Sequence, residues 1–327
     1  MHAPDGFLNA GTAVATGAIS LGTVGMALRQ VKQTVKENQV PLAGIAAAFI
    51  FAAQMLNFPV AAGTTGHLLG GALAAILLGP SMGAVVVTVV VVIQSLVFAD
   101  GGMTALGYNV LNMAIIPAFG GYALFLASKK LLPATSGGVV AAAGLAAWGS
   151  VLLSAMAFSI EWLFGATAPV SFAEVFGAMV GTHLLIGMGE GVISALALGT
   201  VLASRPDLVV GVKGLPRTEP SVGRRIPVRT FIIGGALTAL LLAGVVSQFA
   251  ADDPDGLEAV ANETGIIESA GDHPLDSGVF ADYATAGIRN ESLSLAIAGV
   301  AGTLIVLAVG TGVFAAVRQR RDSTTTV

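Results

Sequence analysis

Cysteine is absent from the 327 residues, so neither disulfides nor thiolate metal sites are available. Charge is scarce as well. Asp, Glu, Lys and Arg make up 10% of the chain and hydrophobic residues 55%, whereas a soluble domain carries about 25% charged residues. That balance excludes an ordinary soluble globule and places the chain in a bilayer. No G-x-x-x-x-G-K-[ST] phosphate loop occurs, which excludes ATP hydrolysis by that route. There is no H-E-x-x-H helix, Ser-His-Asp order or intramembrane carboxylate pair to suggest hydrolysis. No clean internal repeat supports an inverted-repeat permease. The opening Met1-His2-Ala3-Pro4-Asp5-Gly6 has no basic n-region and no long apolar h-region, so no signal peptide is expected there.

What is present is a series of apolar stretches near the ~20 residues a spanning helix needs. They lie at about 8–28, 41–60, 82–98, 106–127, 137–163, 171–203, 229–250 and 292–317. A shorter one, 67–79, starts at His67 and is expected to be a short helix packed inside the bundle. The expected fold is an all-α integral membrane protein of the cell (inner) membrane. Residues 1–203 form a seven-helix unit, 204–228 a basic cytoplasmic linker, and 229–327 a two-helix unit with an acidic outer loop at 251–291 that is poor in helix or strand periodicity. With the N-terminus outside the cytoplasm and the C-terminus inside, fourteen of the fifteen Lys and Arg residues fall on the cytoplasmic side, and only Arg289 falls outside.

His2 and His67 are the residues that point to chemistry. A histidine at position 2 offers one metal ion the Met1 amine, its own main-chain nitrogen and its imidazole Nδ1, which close a five- and a six-membered chelate ring. Ni(II), Cu(II) and in suitable cases Co(II) fit such a nitrogen field. The array requires Met1 to keep a free amine, and the large residue after it disfavours removal. His67, between Gly63-Thr64-Thr65-Gly66 and Leu68-Leu69-Gly70-Gly71, supplies the fourth nitrogen. The competing readings are a frayed end for His2 and a helix-capping role for His67; two histidines on one face favour ligation.

Polar residues near the outer helix ends are candidates to orient such ligands: Gln54, Asn57, Gln94, Asn109 and Asn112, with interhelical bonding as the alternative for each. Asp5 is either a partner of the terminus or a turn residue. His183 and Glu190, seven residues apart on one helix face, form either a second metal position or a polar clamp. His273 is read as an isolated loop histidine. The pairs Gly11 with Ala15 and Ala18 with Gly22 mark either an external docking face or close packing within the unit.

Met1 through Phe7, the Gly66-His67 segment and Gly187-Met188-Gly189-Glu190-Gly191 resemble the substrate-capturing membrane component of cobalt/nickel energy-coupling-factor transporters (CbiM or NikM type). Asp253-Pro254-Asp255-Gly256-Leu257-Glu258, with His273-Pro274-Leu275 and Asp282-Tyr283 after it, resembles the two-helix accessory component (CbiN type), here fused. The resemblance implies Met1, His2 and His67 as metal ligands and Co2+ or Ni2+ as transported substrate, with no resident cofactor. It also implies partners: a transmembrane coupling subunit and cytoplasmic ATPases that hydrolyse the ATP, so the chain itself is expected to be no enzyme, and no nucleic acid is involved. The rival reading is a permease or channel for a small solute driven by an ion gradient, which paired intramembrane carboxylates or duplicated broken helices would have favoured.

Overall fold

The computed structural model describes residues 1–61, 63–212 and 226–322. Helices dominate: α1 (Ala10–Thr34), α2 (Gln39–Gln54), α3 (Gly71–Leu78), α4 (Pro80–Phe98), α5 (Leu106–Val110), α6 (Ile116–Leu131), α7 (Ser136–Gly165), α8 (Phe172–Ser204), α9 (Val228–Gly244), α10 (Gly256–Thr264) and α11 (Glu291–Asp322). A single π turn, Leu111–Ile115, joins α5 to α6. It falls just before Pro117, whose missing N–H removes a rung of the α ladder. Among the described residues seven helices are long and apolar enough to cross a membrane. The protein is a multi-pass membrane protein.

Local sequence explains the ends of the elements. Asn9 caps α1 by accepting from Thr12 N, and Thr135 and Ser171 cap α7 and α8 in the same way. Ser171 is followed three residues later by Glu174, the reciprocal pattern of a capping box. Pro80 opens α4 at a position where no intrahelical N–H is needed.

Each of the nine apolar stretches carries a helix, and two of these are short. α2 has sixteen residues and α3 eight. Every residue of α3 except Leu77 is buried, so this helix sits within the bundle as the sequence suggested. It begins later than expected, however. His67 does not open it; residues 67–70 form an irregular connection that ends on Gly70 with φ of 77°, and the helix starts at Gly71. The end of the second apolar stretch is also not helical. Phe58–Ala61 (β1) and Thr64–Gly66 (β2) form an antiparallel hairpin that pairs Phe58 with Gly66 and Pro59 with Thr65. Pro59 and the glycines at 63 and 66 end the helix and permit the turn.

The helices of the second unit, α9 and α11, pack on α2. Their closest approach uses small residues: a side chain at Gly44 would collide with Thr311, and one at Gly302 with Phe51 and Phe98. The loop between α9 and α11 is more ordered than its composition suggests. Residues 256–264 form α10, capped by Asp255, whose carboxylate accepts from Leu257 N at 2.8 Å and Glu258 N at 2.9 Å. The acidic residues of this segment lie on the exposed side of a nine-residue helix, too short for its period to stand out.

Gly11, Ala15, Ala18 and Gly22 are all exposed on α1, so they are not used for packing within the unit. Of the basic residues assigned to the cytoplasmic side, Lys213, Arg217, Arg224 and Arg225 lie outside the described residues, as does most of the linker.

Candidate metal centre

The first seven residues are threaded into the bundle. Met1, Ala3 and Phe7 are buried, which removes the frayed-end reading of His2. Main-chain geometry holds the segment. Asn109 grips Ala3 from both sides, accepting from Ala3 N at 2.9 Å and donating to Ala3 O at 2.9 Å, and Gly102 N donates to the same carbonyl at 3.0 Å. Tyr108 donates to Pro4 O at 3.1 Å. The Asp5 carboxylate accepts from Thr104 N at 2.6 Å, Met103 N at 3.1 Å and the Thr104 hydroxyl at 2.5 Å. Asp5 therefore anchors the tail from its place in the Asp5-Gly6 turn. Gly102 is required by this fit, since a side chain there would lie 2.2 Å from Asp5 N.

The anchored tail brings the Met1 amine to 2.8 Å from His67 Nε2. His67 Nδ1 donates to Leu68 O at 3.0 Å, which leaves the Nε2 lone pair directed at the amine. Glu190 fixes the backbone beside it, accepting from Leu69 N at 2.6 Å and Gly70 N at 2.9 Å, and Gln54 donates to Leu69 O at 3.0 Å. Glu190 thus ties α8 to the main chain that precedes α3.

The His2 ring stacks on that of His67, with centroids 5.4 Å apart and planes 26° from parallel. A polar chain sets its tautomer. Tyr283 donates to Asp100 at 2.6 Å, Gln94 donates its amide N–H to the Tyr283 oxygen at 3.1 Å, and the Gln94 carbonyl accepts from His2 Nε2 at 3.0 Å. Burial lowers the His2 pKa to about 4, with the terminal amine and His67 acting in the same sense and Asp100 against them. The ring is therefore neutral near pH 7, and its Nδ1 lies 3.3 Å from Asp100 Oδ1. Burial first, then Asp100, raises the Tyr283 pKa well above its ordinary value, so its hydroxyl keeps the proton it donates.

The second unit reaches this same point. Thr65 N on β2 donates to Pro254 O at 2.9 Å and the Thr65 hydroxyl to Asp253 O at 2.9 Å, so the segment before α10 adds to the hairpin edge. Asp255 Oδ2 then lies 2.5 Å from the Met1 amine and 3.4 Å from His67 Nε2. Burial pushes this carboxyl up, but the amine and His67 outweigh it and hold it well below the usual carboxylate range. Gly256 follows because a side chain there would come within 2.4 Å of Ile186 and 3.0 Å of His183. A cavity of about 10 Å³, close to the room one water occupies, lies among Met1, Gly66, His67, Leu69, His183 and Gly256. His183 donates from Nδ1 to Met179 O at 2.7 Å, and its buried Nε2 has no hydrogen-bond partner among the described residues.

Asn57, Asn112 and His273 are elsewhere. Asn57 accepts from Ala251 N at 2.9 Å through its main-chain carbonyl, Asn112 donates to Glu161 at 2.7 Å, and His273 accepts from Leu275 N at 3.0 Å. Sequence reasoning missed Asp100, Tyr283 and Asp255 as neighbours of the site. The signals for Asp255 and Tyr283 were their places in Asp253-Pro254-Asp255-Gly256-Leu257-Glu258 and Asp282-Tyr283; nothing local marked Asp100.

Residues 2–208 match the family model described as the cobalt uptake substrate-specific transmembrane region, CbiM. The chain belongs to the CbiM family. Residues 229–319 match a second model, the PDGLE domain. A putative fused nickel transport protein NikMN of Archaeoglobus fulgidus is 35% identical, with 99% of this chain and 100% of the relative covered. The fused nickel transport protein NikMN of Rhodobacter capsulatus is 30% identical over 97% and 98%. The cobalt transport protein CbiM of Geobacter sulfurreducens is 29% identical over 81% and 79%. A crystal structure of a truncated transition metal transporter is 32% identical, with a TM-score of 0.56, covering 62% of this chain and 98% of that one. These CbiM and NikMN relatives are named as transport proteins, and the chain is a cobalt/nickel transport component of this type.

Proposed function

We propose that this chain captures Co2+ or Ni2+ and delivers it across the membrane as the substrate-specific component of an energy-coupling-factor transporter. The ion is held by the Met1 amine, the main-chain nitrogen and Nδ1 of His2, and Nε2 of His67. The observation that carries this is the 2.8 Å separation of the Met1 amine and His67 Nε2 in a buried pocket. Two nitrogens each about 2.0–2.1 Å from one ion, at right angles to each other, lie about 2.8–3.0 Å apart. The neutral His2 ring, packed against that of His67, supplies the second imidazole. Binding requires Nδ1 to turn from Asp100 toward the amine and the His2 main-chain nitrogen to lose its proton, so affinity rises with pH.

Residues 1–203 act as the capturing unit and 229–327 as a fused accessory unit. The N-terminus faces outside, in keeping with the distribution of Lys and Arg. A transmembrane coupling subunit docks on the exposed small-residue face of α1, and ATP is hydrolysed by cytoplasmic partner subunits. The decisive experiment inserts one alanine between Met1 and His2 in protein that begins at Met1. Isothermal titration with nickel and cobalt should show a loss of about a thousandfold or more in affinity, with helicity unchanged. Undiminished binding by the insertion variant would remove the terminal chelate.

A further inference from the structure

We infer that Asp255 is a fifth donor to the transported ion, an oxygen ligand lent by the second unit to the nitrogen set of the first. The inference rests on the reading of Met1, His2 and His67 given above. Three atoms carry it. The Met1 amine and His67 Nε2 are 2.8 Å apart, and Asp255 Oδ2 lies 2.5 Å from the first and 3.4 Å from the second. The circle through these three points has a radius of about 1.7 Å, less than a metal–ligand bond of about 2.0–2.2 Å. One ion can therefore bond to all three without any of them moving, and it then sits to one side of their plane. The two nitrogens belong to the four-nitrogen square, so the oxygen takes an apical position.

The two carboxylate oxygens of Asp255 have separate tasks. Oδ1 accepts from Leu257 N and Glu258 N and so caps α10. Oδ2 is left to the site. The segment carrying it is fixed by the Thr65 bonds to Asp253 O and Pro254 O, and Gly256 packs without a side chain against Ile186. The second unit thus presents one hard oxygen donor at the point where the nitrogens of the first unit converge. A planar four-nitrogen field suits Ni(II) without an apical ligand, whereas Co(II) gains more from a fifth donor.

The alternative is that Asp255 is solely the counter-ion of the terminal ammonium. The two roles differ in sign. A counter-ion competes with the metal for the amine, so its removal tightens metal binding; removal of a ligand weakens it. Asp255→Asn separates them, because asparagine caps a helix as well as aspartate does. The full chain beginning at Met1 is purified, loaded with Co(II), and studied by X-ray absorption and titration. The expected result is a five-coordinate cobalt edge in the native chain. In D255N one donor is lost and the edge becomes four-coordinate, cobalt affinity falls about 10–100-fold and nickel affinity falls less. Unchanged or tighter cobalt binding by D255N, or a four-coordinate square-planar edge in the native chain, overturns the inference. The native edge can overturn it even if D255N does not fold. The alanine insertion distinguishes the two levels. If it abolishes binding while D255N does not weaken it, only the role of Asp255 fails; if it leaves binding intact, the terminal chelate fails and Asp255 with it.

Discussion

The two units of this chain are alike in composition and opposite in use. In the first, burial of the spanning stretches within the protein runs from 17% for α1 to 72% for α4; in the second it is 17% for Val228–Phe249 and 39% for Glu291–Arg320. Leu237 and Leu241 of α9 are more than half exposed, which in a membrane-spanning helix means contact with lipid. The helices of the first unit build a scaffold whose interior holds polar groups. Those of the second are anchors on α2, and its polar contacts with the site are made by the loop between them, through the segment around Asp255 and through Tyr283. Apolarity alone therefore does not tell a scaffold helix from an anchor. What tells them apart is where the polar side chains go.

The contrast is broken most severely at His67. His67→Ala removes a scaffold donor that the second unit does not replace, and nickel and cobalt affinity should fall at least about a hundredfold in titration with helicity intact. Equal affinity would show that the scaffold does not carry the site. Gln94→Leu tests the chain from Tyr283 through Gln94 to His2 and should cost about 10–100-fold in affinity, since the His2 ring loses the acceptor that sets its tautomer. A loss below twofold would assign that chain to structure alone.

The pH dependence of stability sharpens the comparison from the side of the tail. His2 has its pKa lowered from 6.5 to about 4, so the unfolded chain takes up the proton first as the pH falls. The contribution is fully present above pH 6.5 and is lost as the pH falls toward 4, amounting to at most about 3 kcal/mol. Thermal unfolding in detergent between pH 7 and 4.5 should show this loss in the native chain and lose part of it in His2→Gln; identical profiles would contradict the assignment. Gly256→Ala should displace the segment of the second unit, since its Cβ meets Ile186 at 2.4 Å, at a cost of about 1–3 kcal/mol. Faster proteolysis within 251–290 checks this, and native-like protection would show that the contact is slack. Leu241→Ala, on the anchor's lipid side, should stay within about 0.5 kcal/mol of the parent. A larger drop in the midpoint of thermal unfolding would mean that α9 belongs to the scaffold.

The fold was largely legible because a bilayer imposes long apolar runs, and each of those runs carries a helix. The breaks in the pattern were legible only in part. β1 and β2 arise where Pro59 and the glycines at 63 and 66 interrupt an apolar run, so the hairpin was hidden in the tail of α2. The convergence of Met1, His2 and His67 was readable because one of the partners is the start of the chain itself. Asp100 and Asp255 are different. Asp100 is a lone acidic residue in a short loop and Asp255 one of several in an acidic loop, and each is brought in by contacts between segments far apart in sequence. His183 and Glu190 share a helix face, as their spacing demands, yet one bonds to its own helix and the other to the backbone beyond β2. Spacing specifies a face but not the partner across it.

The buried tail also orders assembly in time. Residues 1–9 precede all of these partners in sequence, and their bonds reach Gly165 through Asn9, Thr167 through Phe7 and Gly271 through Asp5. Asp255 is made more than 250 positions after the amine it meets. The tail can be gripped by residues 102–109 as soon as these are made, whereas its contact with Asp255 must wait until most of the chain has been synthesised, so that the pocket is among the last features to close.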